Sequence, residues 1–205
     1  MGYNAKSMIM KRFWCFFIIF SSQISLGQQP TTEYILGVTS GPLPYLEYGF
    51  GSDRLGAAKM TFLDSGVLVK IVDSTIINYK VQLSKNHFAY LQKSNFTRDK
   101  KLRLQSYYLT NSFIVNGDEK YDYVSIALNE RLPYKSMQLI NPSKLVIDVY
   151  GVITNTNWVT QRSTAKEVKN VYHEQVEDDV FRVTIELKHD QHWGYTIDYD
   201  NNSLT

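Results

Sequence analysis

Alternation of apolar and polar residues with a period of two constrains this chain more than any other feature. It is strictest in VFRVTIELKH, Val180 to His189, where Phe181, Val183, Ile185 and Leu187 alternate with Arg182, Thr184, Glu186 and Lys188. The pattern recurs in DYVSIALN (Asp122 to Asn129) and SKLVIDVYG (Ser143 to Gly151). A helical turn competes with a strand only in TAKEVKNVYHEQ, Thr164 to Gln175. Because one buried and one exposed face is typical of antiparallel sheets, the sequence predicts an all-β fold.

The first half of the chain has shorter strand-like segments, separated by tight turns. Three short segments rich in Val, Ile and Tyr, namely Gly66 to Asp73, Asn78 to Ser84 and His87 to Lys93, are separated by tight turns. Closely spaced short strands leave no room for crossover helices and predict a small barrel over residues 34–95. Residues 96–112 are charged at their start and lack a clear period, so we expect a linker there.

The N-terminal segment predicts secretion. Lys6, Lys11 and Arg12 precede the apolar run FWCFFIIF, Phe13 to Phe20, and small residues follow before Gln28. This is typical of a signal peptide over residues 1–27, followed by a short linker over 28–33. The alternative is an uncleaved signal anchor, although the run is much shorter than the roughly 20 residues that span a bilayer. We expect export across the inner membrane, a periplasmic or cell-envelope location, and no membrane span once the signal is removed.

Cysteine and charge exclude several classes of function. Cys15 is the only cysteine and lies inside the apolar run, so the mature chain would contain no disulfide and no thiolate metal site. The net charge is +2, and no basic run alternates with stacking aromatics, so we do not expect a nucleic-acid partner.

The last residues predict an incomplete hairpin. WGYTIDY, Trp193 to Tyr199, alternates like a strand, and Asp200 to Ser203 has the composition of a turn. Leu204 then opens a return strand that Thr205 ends. We expect that the chain was cut from a longer protein inside this hairpin.

The second half resembles the AMIN domain. The resemblance is carried by YVSIALNERLPYKSMQLINPSKLVIDVYG and VKNVYHEQVEDDVFRVTIELKHDQHWGYTIDYDNNSLT, and it covers residues 113–205. It implies a β-sandwich of the kind found beside N-acetylmuramoyl-L-alanine amidases and secretins, which directs those proteins to peptidoglycan. Read from the residues alone, Pro133, Asp148 and Gly151 are features of the fold, and Asp148 has no acid or base partner spaced for catalysis.

The first half resembles the bacterial Src-homology-3-like barrels of the same amidases, especially those of Bacteroidota. DRLGAAKM, Asp53 to Met60, is its distinctive piece, and it is either a surface loop or part of a ligand cleft. Asp53, Arg54 and Lys59 are therefore candidate ligand residues. The two resemblances together imply the N-terminal region of a secreted amidase whose zinc hydrolase domain is missing from this chain.

Five residues are candidates for contact with peptidoglycan. Trp158, Tyr134 and Trp193 offer flat faces to sugar rings, and Arg131 and Lys135 offer positive charge to acidic stem-peptide groups. The alternative for Trp193 is packing in the sandwich core beside Tyr195. The expected function is thus wall targeting, and the alternative is a protein-interaction module that docks on an envelope or divisome complex.

No catalytic or metal site is recognisable. Of the four histidines, only His189 and His192 are close in sequence, and positions three apart on a strand point to opposite faces. Three convergent ligands for zinc are not apparent, so we expect no cofactor in this chain and leave open whether it is an enzyme.

Overall fold

The computed structural model describes residues 33–49, 58–191 and 193–205. The predicted signal peptide, Asp53, Arg54 and His192 lie outside these residues. The all-β prediction is confirmed. The described residues form seventeen strands and one 3₁₀ turn, Lys93–Asn95.

Seven antiparallel strands make the first sheet, in the order β3-β2-β6-β5-β4-β1-β7. They are β1 (Ile35–Thr39), β2 (Tyr45–Glu47), β3 (Lys59–Phe62), β4 (Leu68–Ser74), β5 (Asn78–Gln82), β6 (Phe88–Gln92) and β7 (Phe96–Arg98). The three strands predicted from residues 66–93 correspond to β4, β5 and β6.

Ten strands follow. They are β8 (Tyr108–Gly117), β9 (Asp122–Leu128), β10 (Tyr134–Leu139), β11 (Lys144–Tyr150), β12 (Val152–Ile153), β13 (Thr160–Gln161), β14 (Val168–Glu177), β15 (Val180–Leu187), β16 (Tyr199–Asp200) and β17 (Ser203–Leu204). One sheet has the order β10-β11-β15-β14, and the other has the order β12-β8-β9-β17-β16 with β13 also beside β8.

The apolar residues of the predicted alternation form the core between the two sheets. Ile147 and Val149 of β11 pair with Val183 and Phe181 of β15, and all four side chains are buried. His173 of β14 lies between the two sheets, with its ring 5.9 Å from that of Phe113 and 5.8 Å from that of Phe181. The period-two pattern is therefore the signature of a face that packs against a second sheet.

The structure decides between the two alternatives left open for residues 164–175 and corrects the linker expected over residues 96–112. Residues 164–175 form no helical turn, because the second half of this segment alternates in register with β15. The segment predicted as a linker, 96–112, contributes β7 and the start of β8. Phe96 explains the first part, since its ring packs edge-on at 5.1 Å from Tyr79 and holds β7 against the sheet.

The C-terminal residues also differ from expectation. The sequence predicted a strand from Trp193 onward, but the strand contains only Tyr199–Asp200. Residues 193–198 instead lie beside β10 and contact it through side-chain hydrogen bonds. The final hairpin is paired: Tyr199 lies opposite Leu204, and Leu204 lies opposite Ile126 of β9. Leu204 is 1% exposed, so burial of its side chain holds the short ladder in place.

The described residues form one compact unit with a continuous core. Arg131 links the first sheet to the sandwich: its backbone oxygen accepts from the Leu68 N–H, and its Nη1 donates to the Ser65 oxygen. On the other side, the Lys85 N–H donates to Asp179 Oδ2 at 2.7 Å. Hydrogen bonds on both sides thus join the sandwich to the first sheet.

Candidate functional site

The clearest candidate site is the loop between β12 and β13, which we call the Trp158 loop (residues 154–159). Both flanking strands run parallel to β8, with Ile153 opposite Leu109 and Thr160 opposite Ile114. The loop therefore spans the middle of β8. Trp158 projects from it with 72% of its surface exposed, as the surrounding Asn and Thr residues predicted.

A buried threonine anchors the base of this loop. The Asn155 N–H donates to Thr110 Oγ1 at 2.9 Å, and the Thr156 hydroxyl lies 2.9 Å from both Thr110 Oγ1 and the Asn111 oxygen. The Asn111 oxygen is accessible because a bulge follows Thr110 in β8 and interrupts its pairing with β9.

A glutamine of the opposite sheet also anchors the N-terminal end of the Trp158 loop. Gln175 of β14 accepts from the Thr154 N–H at 2.8 Å and donates to the Val152 oxygen at 2.9 Å. These bonds hold the N-terminal end of the loop, and the pairing of β13 with β8 holds its C-terminal end. A ligand that stacks on Trp158 would therefore order little additional backbone, which favours binding. Neither Thr110 nor Gln175 was a sequence candidate, because their roles depend on contacts between distant strands.

Tyr134 is not available for stacking, contrary to expectation. It is 3% exposed, and its hydroxyl donates to the Ile197 oxygen at 3.0 Å. Burial raises the pKa of this hydroxyl well above its usual value. Tyr134 follows a turn but begins β10 facing the core, so its position after Pro133 did not imply exposure.

The two basic candidates lie at the junction with the first sheet. Arg131 donates from Nε to the Asn201 oxygen at 2.5 Å and stacks 5.8 Å from the ring of Tyr199. Lys135 places its ammonium 5.6 Å from the ring of Tyr48. Among the described residues, no recorded contact joins either of them to Trp158.

Trp193 is half exposed at 47%, so the alternative of full core packing is wrong. Its oxygen accepts from Gln138 Nε2 at 3.5 Å. Glu167 is nearby: desolvation raises the pKa of its carboxyl, but hydrogen bonds from His189 and Trp193 outweigh this and lower it. Trp193 therefore presents a partly free ring that is tied to a polar cluster.

Of the three candidates Asp53, Arg54 and Lys59, the structure describes only Lys59. It lies on β3 with its ammonium 4.7 Å from the ring of Tyr45 and 4.8 Å from that of Phe62. These cation–π contacts hold the lysine flat on its own sheet.

A charged row on the outer face of the sandwich was missed at the sequence level. Arg182 donates from Nε and Nη2 to the two oxygens of Asp148, at 2.6 and 2.9 Å. The strand register extends this pair to Lys135 on one side and Glu174 on the other. The hydrogen bond to Asp148 raises the pKa of the Arg182 guanidinium. Only strand register, which sequence alternation alone does not reveal, aligns these four charges.

The part of the chain that the structure describes contains no group of three His, Cys, Asp or Glu side chains placed to hold a metal ion. His189 instead pairs with Glu167, with 2.7 Å between Nδ1 and Oε2. In the same residues, no helix is long and apolar enough to cross a membrane.

Fold and site together define an all-β module that displays an anchored aromatic loop from a two-sheet sandwich. Residues 113–205 match the family model of the AMIN domain, which confirms that resemblance over the predicted range. AMIN domains are peptidoglycan-binding and cell-wall-targeting modules of periplasmic and secreted proteins. Comparison with curated proteins and with solved structures finds no match for the chain.

Proposed function

We propose that this chain is a cell-envelope targeting module that binds peptidoglycan, with Trp158 as its principal contact. The AMIN match of residues 113–205 supports the class of function. The single observation that carries the site is that Trp158 is 72% exposed on a loop held by hydrogen bonds from two sheets. An indole face of this kind stacks on the apolar face of a sugar ring.

The polar neighbours of the indole suit a glycan. Asn155 and Asn157 are exposed residues of the loop itself, and Asn111 and Asn129 form an exposed amide pair at 3.0 Å beside its base. Amides donate and accept hydrogen bonds, as do sugar hydroxyls and N-acetyl groups. Arg131 and Lys135 act in the junction between sheets, and the proposal does not need them at the wall.

The finer part of the proposal concerns the whole protein. In it, residues 1–27 direct export, the first sheet is a Src-homology-3-like barrel, and the chain positions a zinc-dependent N-acetylmuramoyl-L-alanine amidase encoded beyond residue 205. This part rests on the sequence resemblances, and reading the gene past that codon tests it directly.

Co-sedimentation with insoluble wall sacculi tests the binding site. The chain is expected to pellet with sacculi, and Trp158→Ala is expected to weaken binding about fivefold or more, because stacking of a ring on an aromatic side chain contributes roughly 1–3 kcal/mol. Tyr121→Ala is the matched control, since Tyr121 is a similarly exposed aromatic at 65% in a turn outside the loop.

Three outcomes are informative. Loss of binding in Trp158→Ala with retention in Tyr121→Ala supports the site. Equal binding of both variants would move the site away from the Trp158 loop. Failure of the unmodified chain to pellet would remove wall binding itself.

A further inference from the structure

We infer that the free edge of β14 is a docking site for an extended segment of a protein partner, which adds to the four-stranded sheet as a fifth strand. This inference does not rest on wall binding. β14 is the terminal strand of its sheet and pairs only with β15 among the described strands.

The backbone direction follows from the neighbouring strand. On β15, the Leu187 N–H donates toward the β11 side, to the Ser143 oxygen, whereas the adjacent Lys188 N–H donates toward the β14 side, to the Glu167 oxygen. The backbone N–H and C=O groups of the even-numbered residues of β15 therefore point toward β14. Because Thr184 lies opposite Tyr172, the odd-numbered residues of β14 direct their N–H and C=O groups outward.

Asn170 gives independent support for this direction. Its side-chain oxygen accepts from the Val171 N–H at 2.9 Å, which is one of the outward-facing groups. A side chain satisfies this donor where an interior strand would be satisfied by its neighbour. The regular part of the edge, between the two register shifts, runs from Asn170 to Gln175 and offers the outward groups of His173 and Gln175.

The remaining sheet edges in the described residues are short or covered. β3, β7, β12 and β16 have four, three, two and two residues. Residues 193–198 lie along β10 through three side-chain hydrogen bonds. Proteins normally shield long edges because an exposed edge pairs with any available strand. β14, with ten residues, is the exception.

Charge selects the partner and its direction. Lys166 and Lys169 lie just before and at the start of β14, and Glu174, Glu177 and Asp178 lie near and just after its end. A segment with basic residues beside Glu174 and acidic residues beside Lys169 is complementary to this gradient. The exposed ring of Tyr172, between the two ends, favours a β-branched or aromatic residue opposite it. The occupant is therefore an extended L-peptide with a charge at each end and an apolar centre.

Amide hydrogen exchange on the free chain is the first test. We expect the amides of His173 and Gln175 to exchange much faster than those of Tyr172 and Glu174, because the N–H groups of the latter two point toward β15. Equal protection of all four amides would overturn the inference, because it would mean that the edge is already paired.

The second test uses a designed peptide probe. It is a hexapeptide of alternating Thr and Val with Lys opposite Glu174 and Glu opposite Lys169, prepared in two N-methylated forms. Methyl groups on the edge that faces β14 remove two or three hydrogen bonds, so affinity is expected to fall about tenfold or more. Methyl groups on the other edge should change it less than about twofold. Equal affinities of the two forms, or no gain of protection at His173 with millimolar peptide, would refute strand addition.

Charge reversal provides the matched variants. Glu174→Lys is expected to lower the affinity for the probe, and a probe with Glu in place of its Lys should restore binding to that variant. Asp190→Lys, an exposed acid outside β14, should leave the affinity unchanged. Protection of His173 that rises with protein concentration without peptide would overturn the inference in favour of pairing between two copies. Sacculus binding measured in parallel separates failure here from failure of the proposed function.

Discussion

Replacing Tyr199 with Phe tests the argument that its buried hydroxyl helps to join the last hairpin to the rest of the sandwich. The hydroxyl donates to the Leu132 oxygen at 2.7 Å and accepts from the Leu132 N–H at 3.0 Å. Phenylalanine keeps the ring packing but removes both bonds. Leu132 is 3% exposed, so water cannot replace them.

The magnitude follows from these contacts. Each lost hydrogen bond contributes about 0.5–1.5 kcal/mol, and each buried group left unsatisfied costs about 1–3 kcal/mol, with partial overlap between the two terms. We expect Tyr199→Phe to lower the free energy of unfolding by about 2–4 kcal/mol. Burial raises the pKa of the Tyr199 hydroxyl, so it stays protonated and the loss should be the same from pH 5 to pH 9.

Urea unfolding followed by tryptophan fluorescence measures the change. Tyr195→Phe is the matched control, because the Tyr195 hydroxyl meets Ser136 Oγ at 3.1 Å on an exposed surface. We expect that control to lie within about 0.5 kcal/mol of the unmodified chain. A loss below about 1 kcal/mol for Tyr199→Phe, or equal losses for both variants, would refute the reasoning.

Three further predictions concern stability. Asp122 accepts the N–H groups of residues 166–168 at 2.6–2.9 Å; desolvation raises the pKa of Asp122, but these bonds outweigh it and lower the pKa. Its contribution is therefore present above the unfolded-state pKa and is lost as the pH falls through the folded-state pKa, so the stability advantage over Asp122→Asn should shrink in urea titrations below about pH 4. For the partly exposed pair of Asp148 and Arg182, a double-mutant cycle with Asp148→Asn and Arg182→Met should give a coupling of about 1–2 kcal/mol, and additive losses would contradict the bidentate geometry. Gly37→Ala would place a Cβ against the Thr97 oxygen and the Phe96 ring, so its melting temperature should fall by several degrees, and an unchanged value would argue against the β1–β7 pairing.

The candidate site was predictable only in part. Trp158 was found because Asn and Thr on both sides predict an exposed loop, and local composition alone decides that property. Tyr134 was misjudged because its exposure depends on Ile197, more than sixty residues away. Thr110 and Gln175 could not have been chosen, since an isolated polar residue in a strand pattern gives no sign of the loop that it anchors.

The sequence by itself determined the all-β class, the core-facing residues of β11 and β15, and the extent of the AMIN domain. The all-β class and the core-facing residues depend on the two-residue period of the strand, which each segment carries locally. The extent of the AMIN domain came instead from the resemblance of residues 113–205 to that family. Tertiary structure alone decided the continuity of the core between the first sheet and the sandwich, the pairing of Leu204 with Ile126, and the open edge of β14. Strand order and register arise from contacts between residues far apart in the chain, and alternation within one strand carries no information about which strand lies beside it.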